Sequence, residues 1–167
     1  MKAKFLMLIL PFLLAFTSGT DVRSTFHASM HTENGLKSFY ESNKNASDAI
    51  TMAYAGLGRA MMAEYATWPS TKLSYFNEGK DLIEKSIKQS QQQVESRYCR
   101  LMVQLNIPSI LNYDGNIASD IDFFIAKMPS ASMPLDWKKK LTTNVMNTSH
   151  ISSSQKSRLS TLLNSLK

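Results

Sequence analysis

The clearest pattern in the chain is a series of apolar stripes at helical spacing. In residues 47–66, large apolar side chains recur at intervals of three and four, which places them on one face of a helix: Ile50, Tyr54, Leu57, Met61 and Tyr65. Ser47 or Asp48 is the predicted cap of this helix. Trp68 precedes Pro69, and the helix is expected to end there because a residue before proline is pushed out of the helical region.

The same spacing predicts helices along the rest of the chain. Ser70 is the expected cap of the next helix, whose buried stripe is Leu73, Phe76, Ile83 and Ile87. Further helices are predicted at residues 94–106, 135–146 and 153–166, and Leu36, Phe39 and Tyr40 form a shorter stripe upstream. No segment alternates in the manner of a β-strand over more than a few residues. The sequence therefore predicts an all-α protein with short connections.

Two local features sharpen this prediction. Ser119 and Asp122 stand three apart, as in a capping box, and are expected to open a helix whose apolar residues are Ile121, Phe124, Ile125 and Met128. Gly56 and Gly79 lie inside predicted helices, where each glycine costs about 1 kcal/mol relative to alanine. We expect a neighbouring helix to approach closely at such glycines.

The predicted helices also repeat one another. Residues 54–61 read Tyr-x-x-Leu-Gly-x-x-Met, and residues 98–105 read Tyr-x-x-Leu-Met-x-x-Leu. With Gly79 as the small residue of the partner helix, this pattern resembles the tetratricopeptide helical-hairpin repeat. The resemblance covers residues 47–128 and implies stacked antiparallel hairpins, with an irregular helical bundle as the alternative. We place the helical-hairpin domain at residues 36–128. Stacked hairpins present a concave face, and its candidate lining residues are Tyr54, Arg59, Tyr65, Arg97 and Arg100.

A second resemblance covers residues 75–80 and 95–108, which read YFNEGK and ESRYCRLMVQLNIP. These stretches are similar to small exported helical proteins of unassigned function from bacteria of the Bacteroidota type. The resemblance implies a prokaryotic envelope or exported location and brings no catalytic residues with it.

The amino-terminal end has the layout of a secretory signal peptide over residues 1–19. Lys2 and Lys4 precede an apolar run over residues 5–16, and small polar residues follow. A run of about 12 residues is too short to span about 30 Å of hydrocarbon as a helix. We therefore expect export to the periplasm or the extracellular space. Residues 20–35 are polar without periodicity and are predicted to be a flexible leader.

The net charge of +6 is concentrated in the carboxyl-terminal part of the chain. Residues 20–126 carry ten basic and twelve acidic side chains, whereas residues 127–167 carry seven basic side chains against one acidic one. We therefore divide the chain into a near-neutral helical domain and a basic helical extension, residues 129–167. The clustered cations, Lys138, Lys139 and Lys140, spread around a helix, which does not favour nucleic-acid binding. Together with the apolar residues Trp137 and Leu141 they are candidates for contact with an anionic membrane surface.

No constellation of catalytic or metal-binding residues is predicted. Cys99 is the one thiol and lies at the edge of a buried stripe, which favours packing over reactivity. His27 and His31 are four apart, but no further cluster completes a zinc site. The oxygen-bearing residues after Asp114 lack the bidentate glutamate of a calcium loop.

These observations predict an exported, non-enzymatic helical protein that uses no cofactor. Its expected role is a protein-interaction or assembly module of the cell envelope, with an unidentified protein as partner. The alternative is peripheral association with anionic membranes through the basic extension.

Overall fold

The computed structural model describes residues 21–167, and all regular secondary structure in that part of the chain is helical. It contains eight α-helices: α1 Val22–Ser29, α2 Glu33–Asn43, α3 Ala49–Met61, α4 Pro69–Gln89, α5 Val94–Gln104, α6 Ile117–Lys127, α7 Leu135–Met146 and α8 Ser153–Ser165. Three short 3-10 turns accompany them: Met62–Glu64, Ser109–Leu111 and Met128–Ser130. The all-α prediction is confirmed. The predicted signal peptide lies outside the described residues.

Helix α3 lies at the centre of the fold. It contacts α1, α2, α4 and α5, and every residue from Met52 to Gly58 is buried. A helix that is apolar around its circumference can be stable only inside a shell of other helices. The remaining elements are therefore arranged around α3.

The closest helix crossing joins α3 and α4 through two glycines. A Cβ atom added to Gly56 would lie 2.6 Å from the carbonyl oxygen of Gly79. A Cβ added to Gly79 would lie 2.5 Å from the carbonyl oxygen of Gly56. Any side chain at either position would collide with backbone, so the expected close approach is confirmed at this pair.

The helix ends follow the local sequence with two corrections. Asp48 caps α3, because its side chain accepts a hydrogen bond of 2.8 Å from the Thr51 amide. Asp48 is one of the two caps predicted for this helix. The prediction of Ser70 as a cap is wrong, because Pro69 already occupies the first helical position, where its fixed φ and missing N–H are tolerated. The predicted capping box is also wrong: α6 begins before Ser119, whose hydroxyl donates to the Asn116 carbonyl oxygen.

The prediction of a flexible leader over residues 20–35 is wrong within the described residues. Helix α1 occupies residues 22–29, and its Phe26 side chain is almost completely buried. Arg23 donates a hydrogen bond of 2.7 Å to Glu95 on α5. Val22 and Met30 are partly buried and pack against the same core, four residues before and after Phe26. This apolar stripe is short and lies among polar residues, and the ion pair leaves no periodic pattern in the sequence.

The carboxyl-terminal helices belong to the same core, so the predicted separate extension is not a structural unit. Leu141 and Val145 of α7 and Leu159 of α8 are fully buried in the cluster that also contains Phe26 and Tyr54. The basic character of this part of the chain is carried by the exposed sides of helices whose other sides are packed. Among the described helices, none combines the length and apolarity needed to cross a membrane.

We expect Gly79→Ala to destabilise the protein, because its Cβ must displace the α3 backbone. The loss in the free energy of unfolding should be about 1–3 kcal/mol, as for other overpacked cores. Gly58→Ala is the control in α3, since its Cβ would meet Phe39 at an ordinary 3.5 Å. That variant should gain up to about 1 kcal/mol from helix propensity. Urea denaturation followed by circular dichroism measures both, and equal effects would contradict the prediction.

Candidate functional site

The predicted interaction residues Arg97 and Arg100 are engaged in the interior. Arg100 is 7% exposed and makes two hydrogen bonds, of 2.7 and 2.8 Å, to the fully buried carboxylate of Asp120. Burial alone lowers the pKa of Arg100, but its bonds to Asp120 and Glu84 outweigh that effect and raise it. Arg97 lies over the Phe123 ring and also reaches Asp120, at 3.3 Å. These arginines join α5 to α6 rather than line an open face.

Tyr54 is also an internal residue, so its prediction as a lining residue is wrong. Its side chain is fully buried and its hydroxyl donates to Glu95 at 3.1 Å. Burial raises the pKa of Tyr54 well above its ordinary value. Glu95 accepts from Tyr54 and Arg23 together, which joins α1, α3 and α5 at one carboxylate.

Arg59 and Tyr65 reach the surface at separate places. The Arg59 guanidinium lies 3.9 Å from the centre of the Tyr75 ring and 4.5 Å from that of Tyr40. It also donates a 2.9 Å hydrogen bond to Glu78. Tyr65 is 40% exposed, just after the turn that follows α3. The structure thus does not bring the five predicted residues together on one concave face.

The predicted membrane-contact residues lie on α7. The Trp137 ring packs 5.1 Å from the His27 ring, and the Lys140 ammonium lies 4.6 Å from the centre of the Trp137 ring. Lys138 donates to the Pro129 carbonyl oxygen, whereas Lys139 is exposed. Trp137 therefore serves as a packing surface between α1 and α7.

Cys99 is completely buried, and burial raises the pKa of its thiol well above the ordinary value. A thiol in this state is a poor nucleophile. His27 and His31 lie near each other, but no group of three or more metal-ligating side chains occurs within residues 21–167.

The structure contains an apolar groove of about 1010 Å³ that the sequence did not predict. Its walls come from α1, α3, the first turns of α4, α5 with the following loop, and α7. The groove is lined by large apolar side chains, among them Met30, Leu57, Met61, Leu73, Phe76, Met102, Ile107 and Ile110. Three of these are methionines, whose flexible side chains adapt readily to different ligand shapes.

Two of the four most exposed large apolar side chains of the described chain line this groove. The large apolar side chains with the greatest exposure in the described chain are Ile110 at 87%, Trp68 at 71%, Leu73 at 48% and Tyr65 at 40%. Leu73 and Ile110 line the groove, while Trp68 and Tyr65 are adjacent in sequence to its residues Pro69 and Glu64. Exposed apolar side chains gathered at one concavity indicate a binding surface.

Most of the ionisable residues that line the groove are basic. Lys72 and Lys140 line it without an ion pair in the described part of the chain, and Glu64 is the one carboxylate. His27 also lines it, with a buried Nε2 atom that has no hydrogen-bond partner among residues 21–167. Burial, followed by Lys140 and His31, lowers the pKa of His27 to about 4. His27 is therefore neutral at pH 7.

The sequence pattern places Leu73 on a buried stripe, whereas its side chain is 48% exposed. No prediction covers Ile110, which lies in the 3-10 turn Ser109–Leu111. A large apolar side chain in a short connection, outside any helical stripe, is the signal in the sequence that could have pointed to a surface contact.

Comparison of the chain with protein-family models, with curated proteins and with solved structures gives no match.

We expect Asp120→Asn to lower the free energy of unfolding by about 3–5 kcal/mol, because it leaves a buried arginine without its full counter-charge. Asp122→Asn is the matched control on the same helix, where the pair with Arg158 is exposed. Its cost should stay below about 1 kcal/mol. Chemical denaturation of both variants measures this, and similar losses would contradict a structural role for the buried pair.

The pKa of His27 predicts a loss of stability in mild acid. The unfolded chain binds the proton near pH 6.5 and the folded chain near pH 4, so stability is full above pH 6.5 and falls as the pH drops towards 4. The thermal unfolding midpoint of wild type should therefore fall between pH 7 and pH 4.5 by more than that of His27→Gln. His31→Gln should reduce the dependence only slightly, because His31 is the smallest of the three causes that lower the pKa of His27. An unchanged slope in His27→Gln would refute the assignment.

Proposed function

We propose that this protein is a non-enzymatic binding module that holds an amphipathic helix of a partner protein in its apolar groove. The observation that carries the proposal is the groove itself, with its methionine-containing walls and its exposed apolar rim. A helix laid into a groove buries side chains at positions i, i+3, i+4 and i+7 of its apolar face. The groove supplies the complementary apolar surface.

The charges at the rim specify the partner further. Two lysines, Lys72 and Lys140, line the groove, and Glu64 is the one carboxylate among its described lining residues. The groove therefore carries an excess of positive charge. A partner helix with acidic residues beside its apolar stripe is complementary to this rim. The expected partner is therefore an amphipathic helix with acidic flanks.

The proposed setting is the cell envelope, after export. Its support is the signal-peptide pattern of residues 1–19 in the sequence. The proposed repeat origin has separate support. Tyr54 and Tyr98 are both buried, as are Leu57 and Leu101, so equivalent positions of the two similar segments, 54–61 and 98–105, have equivalent burial.

The membrane alternative has less support. It relied on an apolar face formed by Trp137 and Leu141 beside the lysines. Leu141 is fully buried in the core, and Trp137 packs against His27. Lys139 and Lys140 are both exposed and remain available to anionic surfaces, but no fully exposed apolar side chain lies beside them on α7.

Titration calorimetry with synthetic helices tests the proposal. The probe is a helical peptide of about 18 residues, or five turns, with leucine at the i, i+3, i+4 positions and glutamate on both flanks. We expect a dissociation constant on the order of 10 µM for wild type. The Leu73→Ser and Ile110→Ser variants should each bind about tenfold more weakly, because they remove apolar contacts of the groove. Both residues are exposed, so the fold is expected to be retained.

Two controls make the result specific. Ala126→Ser changes an exposed residue of α6 that does not line the groove and should leave the affinity unchanged. A peptide with lysine in place of glutamate should bind more weakly at low salt, and the difference should shrink as salt screens the rim. Equal binding of both peptides, no effect of Leu73→Ser, or pelleting with anionic vesicles in place of peptide binding would overturn the proposal.

A further inference from the structure

A second pocket, of about 500 Å³, adjoins the groove across the segment that follows α5. The two cavities share Asn106, Ile107 and Pro108 as lining residues. The second pocket differs in its chemistry, because most of its side chains are polar: Gln104, Asn106, Ser109, Tyr113, Asp114 and His150. Its volume lies in the range of about 300–1,000 Å³ that is common for small-molecule sites.

Gln104 is the unusual member of this pocket. Its side chain is only 4% exposed, and neither Oε1 nor Nε2 has a hydrogen-bond partner among residues 21–167. A buried polar group without a partner costs about 1–3 kcal/mol. An amide needs a donor for its oxygen and an acceptor for its nitrogen, so a ligand that satisfies Gln104 must present both groups side by side.

The other polar groups add mainly acceptors. The His150 Nδ1 atom lies 2.8 Å from the Leu105 carbonyl oxygen. A carbonyl oxygen only accepts, so Nδ1 is the donor in this bond, and in the tautomer that this requires Nε2 is an acceptor. Asn106 donates through Nδ2 to the Met102 carbonyl oxygen, which leaves its Oδ1 as an acceptor. The Asp114 carboxylate adds two further acceptor oxygens.

These features select among classes of ligand. No lysine or arginine lines the pocket, so a phosphate or carboxylate would meet Asp114 without a compensating cation. An ammonium group donates only and would leave the Gln104 nitrogen unpaired. Adjacent hydroxyl groups satisfy every condition, since one can donate to Oε1 while its neighbour accepts from Nε2. Pro108 and Ile117 provide apolar walls against which the C–H face of a ring can pack.

We propose that this pocket binds an uncharged, hydroxyl-rich ligand of mono- or disaccharide size, with the Gln104 amide as its bidentate anchor. Both amide atoms are withdrawn from the solvent-accessible surface. Binding therefore includes a turn of the flexible Gln104 side chain towards the pocket, where the ligand supplies the two missing hydrogen bonds. Asp114 and His150 accept from further hydroxyl groups. The site is separate from the groove and does not depend on a protein partner.

Saturation-transfer NMR on the whole chain tests this inference with four neutral probes: methyl glucoside, methyl galactoside, methyl mannoside and lactose. We expect transfer to at least one of them, with a dissociation constant of about 1 mM. Gln104→Leu should reduce the affinity at least tenfold, whereas Gln92→Leu, the same change at an exposed loop position, should leave it unchanged.

Two measurements separate loss of the site from loss of the fold. Gln104→Leu removes two unpaired buried polar atoms, so its thermal midpoint should equal or exceed that of wild type. Asp114→Ala alters an exposed residue and should weaken binding severalfold in a folded protein. Absence of transfer to all four sugars, unchanged binding in Gln104→Leu, or transfer to adenosine but not to the sugars would overturn the proposal.

Discussion

The backbone contact between α3 and α4 at Gly56 and Gly79 is the constraint on which the rest of the structure depends. It lets the two helices approach until carbonyl oxygens occupy the space that a Cβ would need. Because α3 is apolar on nearly all sides, this close packing covers only one of its faces, and α1, α2 and α5 must cover the others. The polar amino-terminal segment is thereby drawn into the fold as α1, with Phe26 closing the core.

Two buried carboxylates extend this arrangement. Glu95 holds Arg23 of α1 and Tyr54 of α3, and Asp120 of α6 holds Arg100 of α5. Buried charges of this kind cost desolvation and are stable only when their hydrogen bonds are complete, so they favour one packing over others more than they add stability. The hydrogen bonds to these carboxylates also keep the Arg23 and Arg100 side chains away from the surface. The cations that remain at the groove are lysines, with the neutral His27 beside them.

The groove and the polar pocket both result from the segment after α5. Helix α5 ends at Gln104, and the chain then runs through Pro108 and a 3-10 turn to Asn112, whose positive φ of 50° reverses it. Ile110 and Leu111 of this segment line the groove together with the methionines, and Ser109 lines the polar pocket together with Gln104. Asn106, Ile107 and Pro108 line both, so the two concavities meet at one short connection.

The sequence by itself determined the helical class, the limits of α7 and the close approach of helices at Gly56 and Gly79, because apolar periodicity and glycine placement are local signals. It also located most of the core on the correct helices. It did not predict α1, whose attachment depends on one phenylalanine and on Glu95, 72 residues from Arg23 along the chain. The predicted site residues were arginines and tyrosines, whose roles depend on whether a carboxylate lies within reach in space. Only the tertiary structure decided that Tyr54 and Arg100 are internal and that Leu73 and Ile110 line a groove, because exposure is a property of neighbours that come from distant parts of the chain.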